Sequence, residues 1–248
     1  MLFRSLRLSA TLSDGGVTLA AMALADAGEA MNTAPGQAAF KAALPPDAPP
    51  SSPAEACPLC GAAGGRFYHR DDRREYLQCP ACDLVFVPAR FLPSPAQERE
   101  QYDLHQNDVH DPGYRRFLGR LADPMTRRVA PPAAGLDFGC GPGPALATML
   151  REQGYLMSLY DPFYHPDKAV LAESYDFVTC TEVLEHVHAA ARVWGTLFGL
   201  LKPGGWLGVM TKRVLAREAF AVWHYKADPT HVRFYSEATL QWVAARHE

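Results

Sequence analysis

The chain has 248 residues, enough for one large or two modest domains, and its 48% hydrophobic and 21% charged content is ordinary for a globular protein. Twenty-four basic against 27 acidic side chains leave a net charge of −3, so no overall basic field argues for binding nucleic acid or an anionic membrane. No apolar run approaches the roughly 20 residues that span a bilayer, and a soluble, cytoplasmic protein without a membrane partner is expected.

Arg4 and Arg7 ahead of Val17 to Ala25 imitate a secretory signal, but Asp14, Gly15 and Gly16 interrupt it and the apolar part is short. Ala, Pro, Gly and Ser dominate as far as Pro53. Residues 1–56 are therefore expected to be a disordered, low-complexity lead-in, with Leu44 to Pro53 an extended linker.

Residues 57–94 read as a zinc ribbon. Cys57 and Cys60, then Cys79 and Cys82, form two Cys-x-x-Cys pairs separated by 18 residues, the spacing of a four-thiolate zinc site. Each pair makes a tight knuckle with both sulfurs facing one point, and Phe67 to His69, Tyr76 to Gln78 and Leu84 to Val87 supply short strands. Four protein sulfurs leave no coordination position for water, so this Zn²⁺ is expected to be structural and to contribute most of the ribbon's stability. Two disulfides or thioredoxin-type redox chemistry are the alternatives, and neither pair opens a helix as the redox motif requires. Arg66, Arg70, Arg73, Arg74 and Arg90 nearly balance Asp71, Asp72, Glu75 and Asp83, which gives nucleic acid little to bind. The ribbon is expected to pack on the neighbouring domain or to shape a substrate entrance.

Residues 95–130 read as a helical connector, in which Tyr114 to Leu121 is a helix whose aromatic and leucine positions suit covering a crevice. Residues 131–248 then open on the most informative stretch. Gly135 to Phe138 is a short apolar strand that contains Asp137, and Gly139, Cys140, Gly141, Pro142 and Gly143 form a glycine-rich turn ahead of a helix over Ala145 to Glu152. The Gly-x-Gly-x-Gly spacing lacks the later glycine of a pyrophosphate site, so a phosphate-free nucleoside cofactor fits better than a dinucleotide. Tyr155 to Tyr160 is a second strand ending at Asp161, roughly 20 residues beyond the glycines, where a carboxylate can accept from ribose hydroxyls. A loop-capping role for Asp161 before Pro162 is the alternative. Tyr175 to Cys180 is a third strand, Glu182 to Val187 a helix, Leu201 to Gly205 a turn, Trp206 to Thr211 another strand, and Glu237 to Arg246 the last helix. Cys140 and Cys180 read as small packing residues.

Leu136-Asp137-Phe138-Gly139-Cys140-Gly141-Pro142-Gly143 resembles motif I of the class I S-adenosylmethionine-dependent methyltransferases. The segments at Asp161, at Tyr175 to Val187 and at Leu201 to Thr211 resemble that family's later motifs in the same order. The resemblance implies an α/β, Rossmann-like, mostly parallel sheet and S-adenosylmethionine as cofactor, with Asp137, Gly139, Cys140, Gly141, Gly143, Asp161 and Glu182 around it. Two departures stand out. Only 13 residues separate Asp161 from Tyr175, where the family fits a helix and a strand, so an abbreviated sheet edge is expected. The family's last two strands are also missing beyond the final helix, which predicts a shortened sheet with an exposed edge at its fifth strand.

Methyl transfer asks for alignment and, with a hydroxyl or acidic CH acceptor, for a base. Two clusters qualify. Glu182, Glu185 and His186 stand at i, i+3 and i+4 on the expected helix. The polar loop from Trp223 to Ser236 carries His224, Tyr225, Asp228 and His231, expected over the crevice, with His224 or His231 as the base. Glu-x-x-Glu-His with a later His also resembles small-RNA 2′-O-methyltransferases, and its first part resembles ubiquinone-pathway O-methyltransferases. That resemblance implies Mg²⁺ or a similar ion on Glu182, Glu185, His186 and His231, polarising an acceptor hydroxyl. In the plainer reading Glu182 lies near the cofactor while Glu185 and His186 order the helix and loop. The expected function is methyl transfer from S-adenosylmethionine to an O, N or C acceptor, a small molecule or another substrate. The alternatives are a non-catalytic cofactor-binding or ribbon interaction module, and a nucleotide-dependent oxidoreductase, against which the missing pyrophosphate fingerprint argues.

Overall fold

A computed structural model describes residues 55–104 and 107–247, together with the backbone strands at 8–9 and 18–21. In chain order these are β1 (Leu8–Ser9), β2 (Thr18–Ala21), β3 (Arg66–Arg70), β4 (Glu75–Gln78), β5 (Val85–Phe86), α1 (Pro95–Tyr102) and α2 (Pro112–Thr126). They continue as β6 (Ala134–Phe138), α3 (Ala145–Glu152), β7 (Leu156–Tyr160), β8 (Tyr175–Thr181), α4 (Ala190–Gly199), β9 (Leu201–Met210), β10 (Arg213–Val214), α5 (Arg217–Ala221), β11 (Arg233–Ser236) and α6 (Glu237–Ala244). The expected linker from Leu44 to Pro53 lies outside the described residues.

The larger sheet has the order β1-β2-β9-β8-β6-β7 and is parallel from β2 to β7. Side chains alternate along its central strands. Leu136, Phe138, Val178, Cys180, Leu207 and Val209 enter one core with Trp194, Leu197 and Phe198 of α4 and Leu240 and Val243 of α6. Met157, Phe177 and Met210 turn the other way, onto Leu118, Leu121 and Met125 of α2 and Leu146 and Leu150 of α3. A parallel sheet covered on both faces presents its ligand crevice at the carboxyl ends of its strands. The loops after β6, β8 and β9 meet there.

The abbreviated edge is present: only a 3₁₀ turn, Lys168–Ala172, lies between β7 and β8, and β7 is the last strand of the sheet. The opposite side differs from expectation. β9 is not bare, because β2 pairs with it in parallel, from Thr18 opposite Trp206 to Ala21 opposite Val209. The need of backbone N–H and C=O groups for partners draws a strand from a segment that composition alone marks as structureless.

Residues 182–187 are not a helix. Glu182 N donates to Met210 O at 2.7 Å, which extends the β8 ladder by one residue, and Glu182 then adopts φ 51°. This left-handed conformation ends the strand abruptly. The next residues form a turn closed by His186 N and Val183 O at 3.0 Å, and helix resumes only at Ala190. Glu182, Glu185 and His186 therefore share a turn rather than a helix face.

The ribbon is fused to the α/β domain. β5 pairs antiparallel with β11, giving a second sheet, β10-β11-β5-β4-β3. Cys57, Leu59, Leu77, Leu84 and Phe86 belong to the same core as α4 and α6. Tyr68, Tyr76, Val85 and Val87 pack with Val214, Phe220, Trp223, Tyr225 and Phe234. A segment this small buries too little surface alone, and the α/β domain supplies the rest. Among the described residues no helix is long and apolar enough to cross a membrane.

Candidate active site

β6 delivers the chain to the carboxyl edge, where Gly139 (φ 75°) and Gly141 (φ 64°) turn it into α3. Such angles are cheap only for glycine. The turn is closely packed by the chain itself. A Cβ on Gly139 would lie 2.3 Å from Val183 Cγ2, and one on Gly143 would lie 1.9 Å from the Asn107 carbonyl oxygen. Asn107 thus walls the turn, a role with no signal in the sequence because no pattern surrounds it. Tyr114 of α2 joins it, as the aromatic positions of that helix suggest: burial, then Asp137, Glu182 and Cys140, push its phenol up to about 12.

Asp161 braces the same turn. Its Oδ2 accepts from Gly141 N at 3.1 Å, and its Oδ1 accepts from Phe163 N at 2.8 Å and Tyr164 N at 3.1 Å. The capping alternative is therefore present, and it uses three of the about four acceptor sites of a carboxylate. Asp137 is buried beneath, accepts from Thr179 Oγ1 at 2.9 Å, and has its carboxyl raised by burial to about 6. Burial also lifts the Cys140 and Cys180 thiols above the ordinary thiol range, which suits packing rather than nucleophilic attack.

Beside this turn, polar contacts lead from Glu182 at the end of β8 into the loop after β9. Thr181 Oγ1 and Glu182 Oε1 are closed off from solvent without a protein partner. Burial, then Glu185, raise the Glu182 carboxyl well above the usual range. Tyr225 Oη lies 3.4 Å from Glu182 Oε2 and donates a short hydrogen bond to Glu185 Oε1, while Thr211 Oγ1 donates to Glu185 Oε2 at 2.9 Å. Burial and both carboxylates push the Tyr225 phenol up, so it serves as a neutral donor. His231 Nδ1 lies 2.6 Å from Tyr225 O. A carbonyl only accepts, so Nδ1 carries the proton and the lone pair of the neutral ring sits on Nε2.

Asp228 Oδ2 is 3.8 Å from that Nε2. Burial opposes its ionisation, yet His231, His186 and the Thr230 hydrogen bonds bring its carboxyl down to about 2. The His186 and His231 rings are 4.6 Å apart, and His186 Nδ1 lies 2.9 Å from Thr230 Oγ1. His224 is elsewhere, exposed, with Nε2 3.1 Å from Lys212 Nζ. Of the loop residues expected over the crevice, Tyr225, Asp228 and His231 converge and His224 does not. Ligand atoms of Glu185, His186 and His231 all lie within 4.8 Å of one another, and Glu182 stands outside that set. Tyr102 of α1, absent from the sequence reading because that helix has no apolar stripe, meets His186 edge-on at 5.2 Å.

Residues 110–247 match the family model described as a methyltransferase domain. The chain belongs to that family. Eighty-seven of its residues are 33% identical to the ubiquinone biosynthesis O-methyltransferase of Sodalis glossinidius (strain morsitans), covering 35% of this chain and 34% of that one. Ninety-three are 32% identical to the protein of the same description from Aeromonas salmonicida (strain A449), covering 38% and 39%. The chain thus spans a little over a third of the length of these curated relatives. Among solved structures, Burkholderia thailandensis 1,6-didemethyltoxoflavin-N1-methyltransferase, with bound 1,6-didemethyltoxoflavin and S-adenosylhomocysteine, is 17% identical, the match covering 73% of this chain and 87% of that one with a TM-score of 0.44.

Ahead of the methyltransferase domain the four ribbon cysteines converge. Cys57 Sγ and Cys82 Sγ are 3.5 Å apart, Cys60 Sγ and Cys79 Sγ 3.4 Å, and all four lie within 4.8 Å of one another. Sulfurs at about 2.3 Å from a tetrahedral Zn²⁺ would be about 3.8 Å apart, whereas a disulfide requires about 2.05 Å. The two knuckles are alike: Gly61 N donates to Cys57 O at 2.9 Å and Asp83 N to Cys79 O at 3.1 Å, with φ 75° at Gly61 and 65° at Asp83. The donor set fits zinc.

Proposed function

We propose that the protein moves a methyl group from S-adenosylmethionine to a hydroxyl of a small-molecule acceptor. One observation carries this reading: polar contacts join Glu182, Tyr225 and His231 at the carboxyl edge of a parallel sheet, in a segment whose Val183 packs directly on the glycine turn. Membership of the methyltransferase-domain family supports the reaction class, and the O-methyltransferase relatives support an oxygen acceptor.

When bound, the cofactor supplies a sulfonium-activated methyl group. The turn at Gly139, Cys140, Gly141 and Gly143, with Asp137 beneath it, is assigned to hold the cofactor's amino-acid part. The remaining acceptor site of Asp161 is assigned to the ribose. Thr181 Oγ1 and Glu182 Oε1, unpaired within the protein, gain from any ligand that offers hydrogen bonds, since a buried unsatisfied polar atom costs about 1–3 kcal/mol. His231 Nε2 is the base that takes the acceptor's hydroxyl proton as the oxygen attacks the methyl carbon. The imidazolium so formed is stabilised by Asp228 and oriented by Tyr225 O. Cys57, Cys60, Cys79 and Cys82 hold a structural Zn²⁺ in the same reading.

The proximity of Glu185, His186 and His231 favours a second reading, a divalent ion in the active site. Both Nδ1 atoms face protein partners, so coordination would fall to Nε2 of each ring and to Glu185. Two imidazoles with one carboxylate suit zinc- or iron-like ions better than Mg²⁺.

Calorimetry with S-adenosylhomocysteine tests the cofactor assignment, and incubation with S-adenosylmethionine and a panel of catechols and phenols, read by mass spectrometry, tests the reaction. The expected result is cofactor binding with a methylated product that disappears in His231→Gln while binding persists. Binding without product, with or without added divalent metal, would leave the non-catalytic module as the better reading. Absence of binding would remove the methyl-transfer reading.

A further inference from the structure

We propose that Arg73 and Arg74, in the turn between β3 and β4 of the cysteine ribbon, are positioning residues for His231. This rests on the assignment of His231 as the base. The ribbon then belongs to the machinery that orients the base and is not an appendage for capturing partners.

Four consecutive carbonyls of the His231 loop point at these two guanidinium groups. Arg74 donates to Lys226 O at 2.9 Å, Asp228 O at 3.0 Å and Pro229 O at 2.7 Å, and Arg73 donates to Ala227 O at 2.9 Å. The loop belongs to no strand ladder at these residues, so its buried carbonyls need donors from elsewhere. A guanidinium has five donors in a fixed planar fork, which lets one side chain fix several carbonyls at once, as an ammonium on a flexible stem does not.

The clamp is itself held rigid. Arg74 is buried, and its Nε donates to Tyr76 Oη at 2.9 Å, which donates in turn to Asp71 Oδ2 at 2.8 Å. Asp71 Oδ1 accepts from the backbone N–H of Arg73 at 3.0 Å and of Arg74 at 2.9 Å, and Lys226 Nζ reaches Asp71 Oδ2 at 3.2 Å. Beyond His231 the ribbon grips the chain again, where Val87 N donates to Val232 O at 2.9 Å. His231 thus lies between two attachments to the ribbon. Immediately before the first clamped carbonyl, Tyr225 O fixes the His231 Nδ1 proton, and within the clamped stretch Asp228 O accepts from His231 N at 3.3 Å. The carbonyl that selects the tautomer sits on the loop that the arginines immobilise.

The test uses the full chain labelled with ¹⁵N-histidine, long-range ¹H–¹⁵N spectra of the imidazoles, and His231→Gln to assign the signal. The unmodified protein should show His231 protonated at Nδ1 and bare at Nε2. Arg74→Lys keeps the charge but not the fork, and should abolish this single-tautomer pattern while S-adenosylhomocysteine affinity and zinc content stay unchanged. Arg73→Ala, at a half-exposed site, should give a smaller change in the same direction, and it carries the test if Arg74→Lys does not fold. An unaltered His231 pattern in Arg73→Ala and in any folded Arg74→Lys protein overturns the proposal. Failure of the unmodified protein to bind S-adenosylhomocysteine counts instead against the methyl-transfer reading, and leaves the tautomer measurement interpretable.

Discussion

Asp137→Asn should stabilise the protein by an amount that grows with pH. Asp137 is 4% exposed within the parallel sheet, and burial raises its carboxyl to about 6 despite the hydrogen bond from Thr179. The unfolded chain titrates near 3.9, so the native state holds this proton more tightly. The group's contribution to stability is therefore fully present below the unfolded value and is lost as pH rises through about 6. A gap of about 2 units, each worth about 1.4 kcal/mol, makes the ionised side chain cost about 3 kcal/mol above that range. Asn does not ionise and keeps one acceptor oxygen, so the stability difference between variant and parent should widen by roughly 2 kcal/mol between about pH 4 and about pH 7.5. Urea unfolding of both proteins across that window measures it, because the other acids titrate alike in both and cancel. Any constant offset from the altered hydrogen bonding leaves the slope untouched. A difference that stays flat with pH would show that Asp137 ionises normally, and the account of a desolvated carboxyl beneath the glycine turn would be wrong.

Gly143→Ala places a Cβ against the Asn107 carbonyl and should cost about 1–3 kcal/mol by overpacking, whereas Gly195→Ala, mid-α4 with open space around it, should gain about 0.5–1 kcal/mol. Thermal melts of the pair check this, and equal effects would deny the close approach at residue 107. Cys82→Ser should abolish zinc retention in metal analysis and lower the unfolding temperature of the whole chain, because the ribbon and the α/β domain share a core. Tyr225→Phe leaves Glu185 Oε1 buried without its hydroxyl donor and should cost about 1–3 kcal/mol in urea unfolding.

Local rules made much of this protein legible. The glycine turn with α3, the strand ending at Asp161, the cysteine knuckles and the short edge beyond β7 all follow from neighbouring residues, because φ angles, strand alternation and ligand spacing are properties of adjacent positions. The family resemblance rests on the same short segments. Residues 182–187 defeated the helical reading because the spacing of Glu182, Glu185 and His186 suits a helix, while the bond from Glu182 N to Met210 O continues the sheet. That partner is far along the chain, and no periodicity reports it.

What the sequence determined by itself was the list of chemical parts: a glycine turn with its acidic residues, four thiols in two pairs, and histidines in a polar loop. The tertiary structure decided which parts meet. It brought His231 rather than His224 beside Tyr225 and Asp228, gave Gly143 to the Asn107 carbonyl, left Glu182 outside the Glu185–His186–His231 group, and joined the ribbon to β11 and to the loop that carries His231. Side-chain type and spacing are fixed along the chain, but a contact between distant segments depends on which buried backbone groups and apolar surfaces find partners when the sheets close.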